Sequence, residues 1–391
     1  MKLRTLIFWP HLIAGMTAGV VILVMSVTGV LLTYERQLIA WSDSHYRSTV
    51  LAPATSRLPV ETLLQTIRTQ HPDIAANAIT VGSTADAPVT VAVPQRILYF
   101  DAYSGRLLGE GSQGMRRFMS ETRAWHRWLA VEGDGRPVAR FITGWSNFLF
   151  LFIVVSGFYL WFPRRWAWNH VRTVLLFNRT TTAKARDFNW HNVIGVWSAV
   201  PLFIVVLSAL PISFPWANAL VYRTVGEEPP VQRGREGGPA RGAREERAAP
   251  SIGGLNNLWS RAEQHVDGWR TINVRVPESN RAPVVFAIDK GDGGQPQLRS
   301  TLTLDRATGE VVAYEAFEDQ SLGRRLRSIS RFAHTGEVLG VPGQTVAGLA
   351  TAGSVVLVWT GLALAWRRWR AWMKRRAADR VDPVSRQSSA A

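Results

Sequence analysis

The 391-residue sequence contains no cysteine. Disulfides, thiolate-held iron–sulfur clusters, Cys-attached c-type haem and Cys-based zinc sites are thereby excluded. No Gly-rich fingerprint follows a strand, so a flavin or nicotinamide site has no signature. The formal charge is +16, yet no basic-aromatic module for nucleic acid is visible. The basic residues stand instead at the ends of apolar blocks, which is the pattern of membrane topology.

What the chain has in quantity is apolar residues, 47% of the total, and 17 tryptophans. They concentrate in four blocks, His11–Tyr34, Phe141–Phe162, His191–Pro215 and Thr345–Trp366. Each is long enough for a helix to cross a hydrocarbon core of roughly 30 Å. The charged start, Lys2 and Arg4, fits a signal peptide, but the apolar run is too long and no Ala-x-Ala site follows it. Pro201 and Pro211 should kink the third block. Arg164, Arg165, Arg172, Arg179, Lys184 and Arg186 face only Asp187 between the second and third blocks, and RRWRAWMKRR ends the fourth. Short basic loops stay in the cytoplasm, which places this loop and both termini there.

Two segments on the other side are polar enough to fold in water. In residues 36–118, Leu58–Gln70 reads as an amphipathic helix, followed by strand-like runs at Ala78–Val81, Val89–Val93 and Ile97–Asp101. The turn Asp101-Ala-Tyr-Ser-Gly105 leads into a fourth. In residues 255–331, Leu258–Val266 is helical in pattern, with strands at Thr271–Val276, Val284–Ile288 and Thr301–Leu304. The turn Asp305-Arg-Ala-Thr-Gly309 matches the first in type. The expected fold is therefore an α-helical integral membrane protein with four transmembrane helices, an internal duplication and two small α+β periplasmic domains. Its segments are helix one (7–35), the first α+β domain (36–118), the His126 segment with helix two (119–163) and a cytoplasmic loop (164–190). Helix three (191–216), a flexible Gly/Pro/Arg insert (217–254) and the second α+β domain (255–331) follow. The His334 segment with helix four (332–368) and a cytoplasmic tail (369–391), disordered from Asp379, complete it.

The duplication sets four of the eight histidines in matching places. His11 and His191 open the two outward helices, and His126 and His334 stand before the two inward ones. A six-coordinate haem iron takes two axial imidazoles from opposite sides of its plane, so one His from each of two facing helices suits it. That arithmetic gives two haem b groups, an inner one on His11 and His191 and an outer one on His126 and His334. Gly15, Gly195, Gly336 and Gly340 could make room for a macrocycle. Interfacial packing among tryptophans is the bland alternative. Zinc is another, but no carboxylate or second His lies at i+3 or i+4 from the histidine in the same helix. His45, His71, His170 and His265 read as solvated or structural.

The segments WHRWLAVEGDGRP, NWHNVIGVWSAVPLF and FAHTGEVLGVPGQ, with LPVETLLQTIRTQ and the DAYSG and DRATG turns, resemble the PepSY-associated transmembrane (PepSY_TM) family, which includes bacterial inner-membrane siderophore-iron reductases. The resemblance covers nearly the whole chain and implies PepSY-like outer domains and haem b electron transfer linked to iron uptake. His126, His191 and His334 match its motifs; the Trp-Pro before His11 departs from the usual lead-in, and the 223–250 insert lies outside the pattern. The expected function is an inner-membrane oxidoreductase that passes electrons from a cytoplasmic or quinol donor to a periplasmic ferric siderophore. Arg123, Arg127, Arg324, Arg325 and Arg331 are the candidate contacts for that anionic ligand, or for haem propionates or lipid headgroups. The alternatives are a haem b relay serving a partner protein and a haem-free PepSY sensor or inhibitor.

Overall fold

A computed structural model describes residues 3–50, 56–162, 167–179, 182–230, 252–276 and 282–388. In chain order the elements are α1 (Leu3–Leu32), α2 (Glu35–Ser42), α3 (Val60–Gln70), β1 (Ala78–Gly82), β2 (Val89–Val93), β3 (Arg96–Phe100), β4 (Leu107–Glu110) and α4 (Gln113–Trp128). Next come α5 (Arg136–Trp161), α6 (Trp168–Leu175), α7 (Ala183–Ser213), α8 (Pro215–Arg223) and α9 (Leu255–His265). The chain ends with β5 (Thr271–Arg275), β6 (Val284–Asp289), β7 (Arg299–Leu304), β8 (Val311–Ala316), α10 (Leu322–His334) and α11 (Gly340–Ser388). They divide into two compact units: 1–33, 120–217 and 333–391 form one, and 34–119 and 218–332 the other.

The first unit is a bundle of α1, α5, α7 and α11, and each of these helices is long and apolar enough to cross a membrane. Helix α1 packs on α5 and α11, and α7 packs on the same two, closing a ring. Polar side chains tie the ring together where apolar ones would slide. The Ser354 and Ser26 hydroxyls meet at 2.7 Å, and Asn147 Nδ2 donates to the Val206 carbonyl at 3.1 Å. In a lipid setting such interhelical bonds contribute about 0.6–2 kcal/mol each.

Helix α7 starts earlier than the apolar block suggests. Thr182 caps it, its hydroxyl accepting the Ala185 N–H at 3.2 Å, and both Pro201 and Pro211 lie within the continuous helix. Asp187 is therefore helical and buried rather than part of a loop, and Arg367 of α11 reaches its carboxylate at 2.5 Å. Helix α11 runs on to Ser388, across the tail expected to be disordered from Asp379. The basic Pro163–Trp166 cluster and residues 231–251 of the expected flexible insert lie outside the described residues.

In the second unit the two segments expected as α+β domains contribute four strands each to a single eight-stranded antiparallel sheet, in the order β4-β3-β2-β1-β5-β6-β7-β8. Strand β1 would otherwise be an open edge, with a row of unpaired backbone groups. It pairs instead with β5, from Ala78 opposite Arg275 to Gly82 opposite Thr271. Helices α3 and α9 supply the core with Leu63, Leu64, Ile67, Leu255, Leu258 and Ala262, against Ile79, Val91, Phe100, Ile272, Phe286 and Leu302 of the sheet. The two helices bond each other reciprocally: the Glu61 N–H donates to Asn256 Oδ1 at 2.9 Å, and the Asn256 N–H to Glu61 Oε1 at 3.0 Å. Each thereby satisfies an N–H that a helix start leaves open.

Candidate functional site

The four histidines singled out by the sequence all belong to the helical unit, and each is half-buried. His11 lies on α1 and His191 on α7. His126 lies in the last turn of α4 and His334 ends α10. Their rings face one another with centroids 6.2 Å apart, tilted by 48°. The space between helices there is about 50 Å³, lined largely by apolar groups such as Ile22, Phe150 and Leu202. Along α1 the stretch from His11 to Thr28, which touches His126, rises roughly 25 Å at 1.5 Å per residue. His11 thus lies toward one end of the bundle and the His126–His334 pair toward the other.

Local chain geometry delivers the second pair. After α4 the backbone turns sharply through Leu129 and Ala130, both at positive φ, 52° and 57°. Such values cost a side-chain-bearing residue about 1–2 kcal/mol. At the equivalent place after His334 the turn uses Gly336, at φ 75°, where no such cost arises.

Every one of the four rings has its Nδ1 engaged. Ser156 Oγ stands 2.9 Å from His11 Nδ1, Thr360 Oγ1 3.0 Å from His191 Nδ1 and Thr28 Oγ1 3.0 Å from His126 Nδ1. His334 Nδ1 lies 2.9 Å from the Val205 carbonyl. These bonds decide the tautomers. A carbonyl only accepts, so His334 carries its proton on Nδ1. Each of the three hydroxyls has one proton and gives it to the carbonyl a turn back: Ser156 to Phe152 at 2.6 Å, Thr28 to Val24 at 2.7 Å and Thr360 to Val356 at 2.8 Å. They must therefore accept from the imidazoles. In their neutral form all four histidines are then Nδ1–H donors, and Nε2 is the unprotonated nitrogen, the one that can ligate a metal.

Sequence reasoning missed the residues that do this, and it did not single out the glycines that lie under the rings. Gly15 has nothing near it, Gly195 faces Leu357, and Gly336 faces Gly343. The glycines under the rings are Gly29, Gly157 and Gly361, where a Cβ would stand 3.5 Å from His126, 3.1 Å from His11 and 3.4 Å from His191. Each directly follows one of the bonding hydroxyls, giving Thr28-Gly29, Ser156-Gly157 and Thr360-Gly361. The signal was a hydroxyl-glycine dipeptide in three of the four apolar blocks. On α7 the comparable place has no such dipeptide, and Ser208 bonds the same Val205 carbonyl that His334 uses.

The candidate arginines are divided between the units. Arg127, in the helical unit with Arg123, stacks over Trp128 at 4.7 Å. In the sheet unit Arg324 is paired with Glu315, Arg325 lies over Phe317 at 5.3 Å and Arg331 over Phe332 at 5.5 Å. Among the described residues no group of three or more His, Asp or Glu forms a cluster for a metal ion. The capacity to hold one rests on the paired imidazoles.

No curated protein sequence matches the chain significantly. The family described as the PepSY-associated TM region matches residues 8–368 of the 391, and the chain belongs to that family.

Proposed function

We propose that the chain is a di-haem b protein of a bacterial inner membrane that carries electrons to a periplasmic ferric siderophore and releases ferrous iron. The observation that carries this is the set of four histidines with Nδ1 bonded, two of which, His126 and His334, stand ring to ring. The spacing of the His126–His334 pair suits an iron between them. Two metal–nitrogen bonds of about 2 Å, plus about 1 Å from each nitrogen to its ring centre, separate the centroids by roughly 6 Å, against the 6.2 Å found. The donor set is right for haem b, since it needs two imidazoles and no cysteine. The porphyrin is larger than the cavity of about 50 Å³, so the reading requires the surrounding helices to stand further apart in the loaded protein.

His11 and His191 would hold the inner haem, and His126 and His334 the outer one. An iron with two axial imidazoles supplies one-electron transfer. The protein's own part is to fix the ring planes through Nδ1, keep water from the bundle and present only Nε2. The substrate gains one electron, and ferrous iron is a softer ion that hard oxygen donors hold less well.

Topology follows the charges. Arg367, Arg368, Arg370, Lys374, Arg375 and Arg376 gather after the last span, which favours a cytoplasmic location for this end and for the His11–His191 pair. The sheet order, palindromic about β1 and β5, and the reciprocal Glu61–Asn256 bonds support an internal duplication with two PepSY-like halves.

The test uses purified protein, chemically reduced and mixed anaerobically with ferric siderophores. A low-spin haem b spectrum at two haems per chain, oxidised as ferrous iron appears, is the expected result. Haem that no ferric chelate oxidises faster than in His334→Ala would leave the relay reading in its place. A haem-free preparation would leave the sensor.

A further inference from the structure

Outside the ring of histidines, a groove of about 450 Å³ runs between α7 and α11 in the helical unit. This is the size of small-molecule sites, typically about 300–1,000 Å³. Trp197 and Leu349 expose 66% and 69% of their surface beside it, and Phe177 also lines it. The Trp197 ring is fixed, its Nε1–H donating to the Leu175 carbonyl at 3.0 Å.

One polar group breaks this apolar lining. Ser198 is only 7% exposed and faces the groove. A helical serine or threonine ordinarily bonds the carbonyl one turn back, as Thr28, Ser156 and Thr360 do. The Ser198 hydroxyl has no hydrogen-bond partner among the described residues. Gly353 keeps it accessible, since a Cβ there would stand 2.7 Å from its oxygen. An acyl chain cannot satisfy a hydroxyl in a membrane interior, and leaving it unmet is unfavourable. A flat ring bearing oxygen, on an apolar tail, meets both demands.

We propose that this groove binds a quinone-class lipid, with the ring against Trp197 and Phe177, one ring oxygen bonded to Ser198 and the tail along Leu349. Ring stacking on tryptophan and a single directional bond are the usual means by which such a site selects a headgroup. Val356, which lines the groove, is also the residue whose carbonyl takes the Thr360 proton, and Thr360 holds His191. The site therefore stands two hydrogen bonds from His191. As a point of entry for reducing equivalents it rests on the reading above; as a binding site it does not.

The experiment is calorimetric titration of the detergent-purified full chain with decyl-ubiquinone. One saturable site is expected, weakened about fivefold to tenfold in Ser198→Ala, the size of one neutral hydrogen bond, and abolished in Ala352→Phe, which fills the groove. An azido-quinone should crosslink to the peptides carrying Trp197 or Phe177, and this readout does not depend on either variant folding. The proposal is overturned by the absence of saturable binding, by binding unchanged in both variants, or by decylbenzene binding as tightly as the quinone, which would make the groove an acyl-chain seat. A haem spectrum on the same samples keeps the two readings apart, because quinone binding and haem content are measured independently.

Discussion

His126 and His334 face each other, yet the protein holds them by different means. His126 leans on a side chain, Thr28, with Gly29 beneath it. His334 leans on a backbone carbonyl, that of Val205. Both arrangements fix the same tautomer, but only the first can be removed by substitution. A side-chain partner makes a ligand adjustable, whereas a backbone partner makes it depend on the helix as a whole.

The comparison breaks most completely if the rings themselves are removed. His126→Ala and His334→Ala should each halve the haem content per chain by eliminating the same low-spin signal, and His191→Ala should eliminate the other one. Electron paramagnetic resonance of the oxidised protein reads this, and two signals surviving in all three variants would refute the pairing. Crowding a ring comes next. Gly157→Val brings a branched side chain to a position where even a Cβ stands 3.1 Å from His11, so the inner signal should weaken or change its g values while the outer one persists.

A finer test separates the two kinds of support. Thr28→Val keeps the shape and deletes the acceptor, and loss of such a partner typically costs about 10–100-fold in metal affinity. We expect faster haem loss to apomyoglobin and a shifted midpoint potential from the outer site. Val205→Ala retains its carbonyl and should show neither change; equal effects of the two variants would contradict the distinction.

The smallest effect compares the two Asp turns of the sheet unit. Asp101 is buried and accepts from the N–H groups of Thr49, Tyr103 and Ser104 at 2.7–3.0 Å. Asp305 is half-buried and accepts from the N–H groups of Ala307 and Thr308 and from the Thr308 hydroxyl. Burial pushes the Asp101 carboxyl up, but the N–H bonds outweigh it and hold the group below the ordinary carboxylate range. A depressed acid stabilises the fold above its unfolded value of about 3.9 and loses that contribution as pH falls through the folded value. Asp101→Ala should therefore cost about 2–3 kcal/mol at neutral pH and flatten the acid limb of a thermal-melt series. Asp305 is held low by the same kind of bonds but is less buried, so Asp305→Ala should move both in the same direction and by less.

The sequence carried the spans, the histidines and the Asp turns because each is a local pattern of charge, period or glycine. It did not carry the β1–β5 pairing. The alternation in Ala78–Gly82 requires a partner strand without naming which one. The hydroxyl-glycine pairs were visible as letters, but their meaning depends on which helix lies opposite. Thr28 and His126, or Thr360 and His191, meet only once the ring of helices has closed. Asp187 was read as a loop charge for a similar reason, since Arg367, its partner, lies at the far end of the chain.

The join between β1 and β5 also governs the order in which the molecule can be made. Between those strands in sequence lie α5 and α7, both candidate spans, so the sheet cannot close until the chain has crossed the bilayer twice more. Contacts of such long sequence separation form slowly. Throughout synthesis the first four strands exist with β1 as a bare edge, a template for any strand nearby. A chain stopped after α6 would keep that edge permanently. Its nearest substitute for β5 is the β1 of a second truncated copy, so such fragments should associate through their sheets while the full-length chain closes its own.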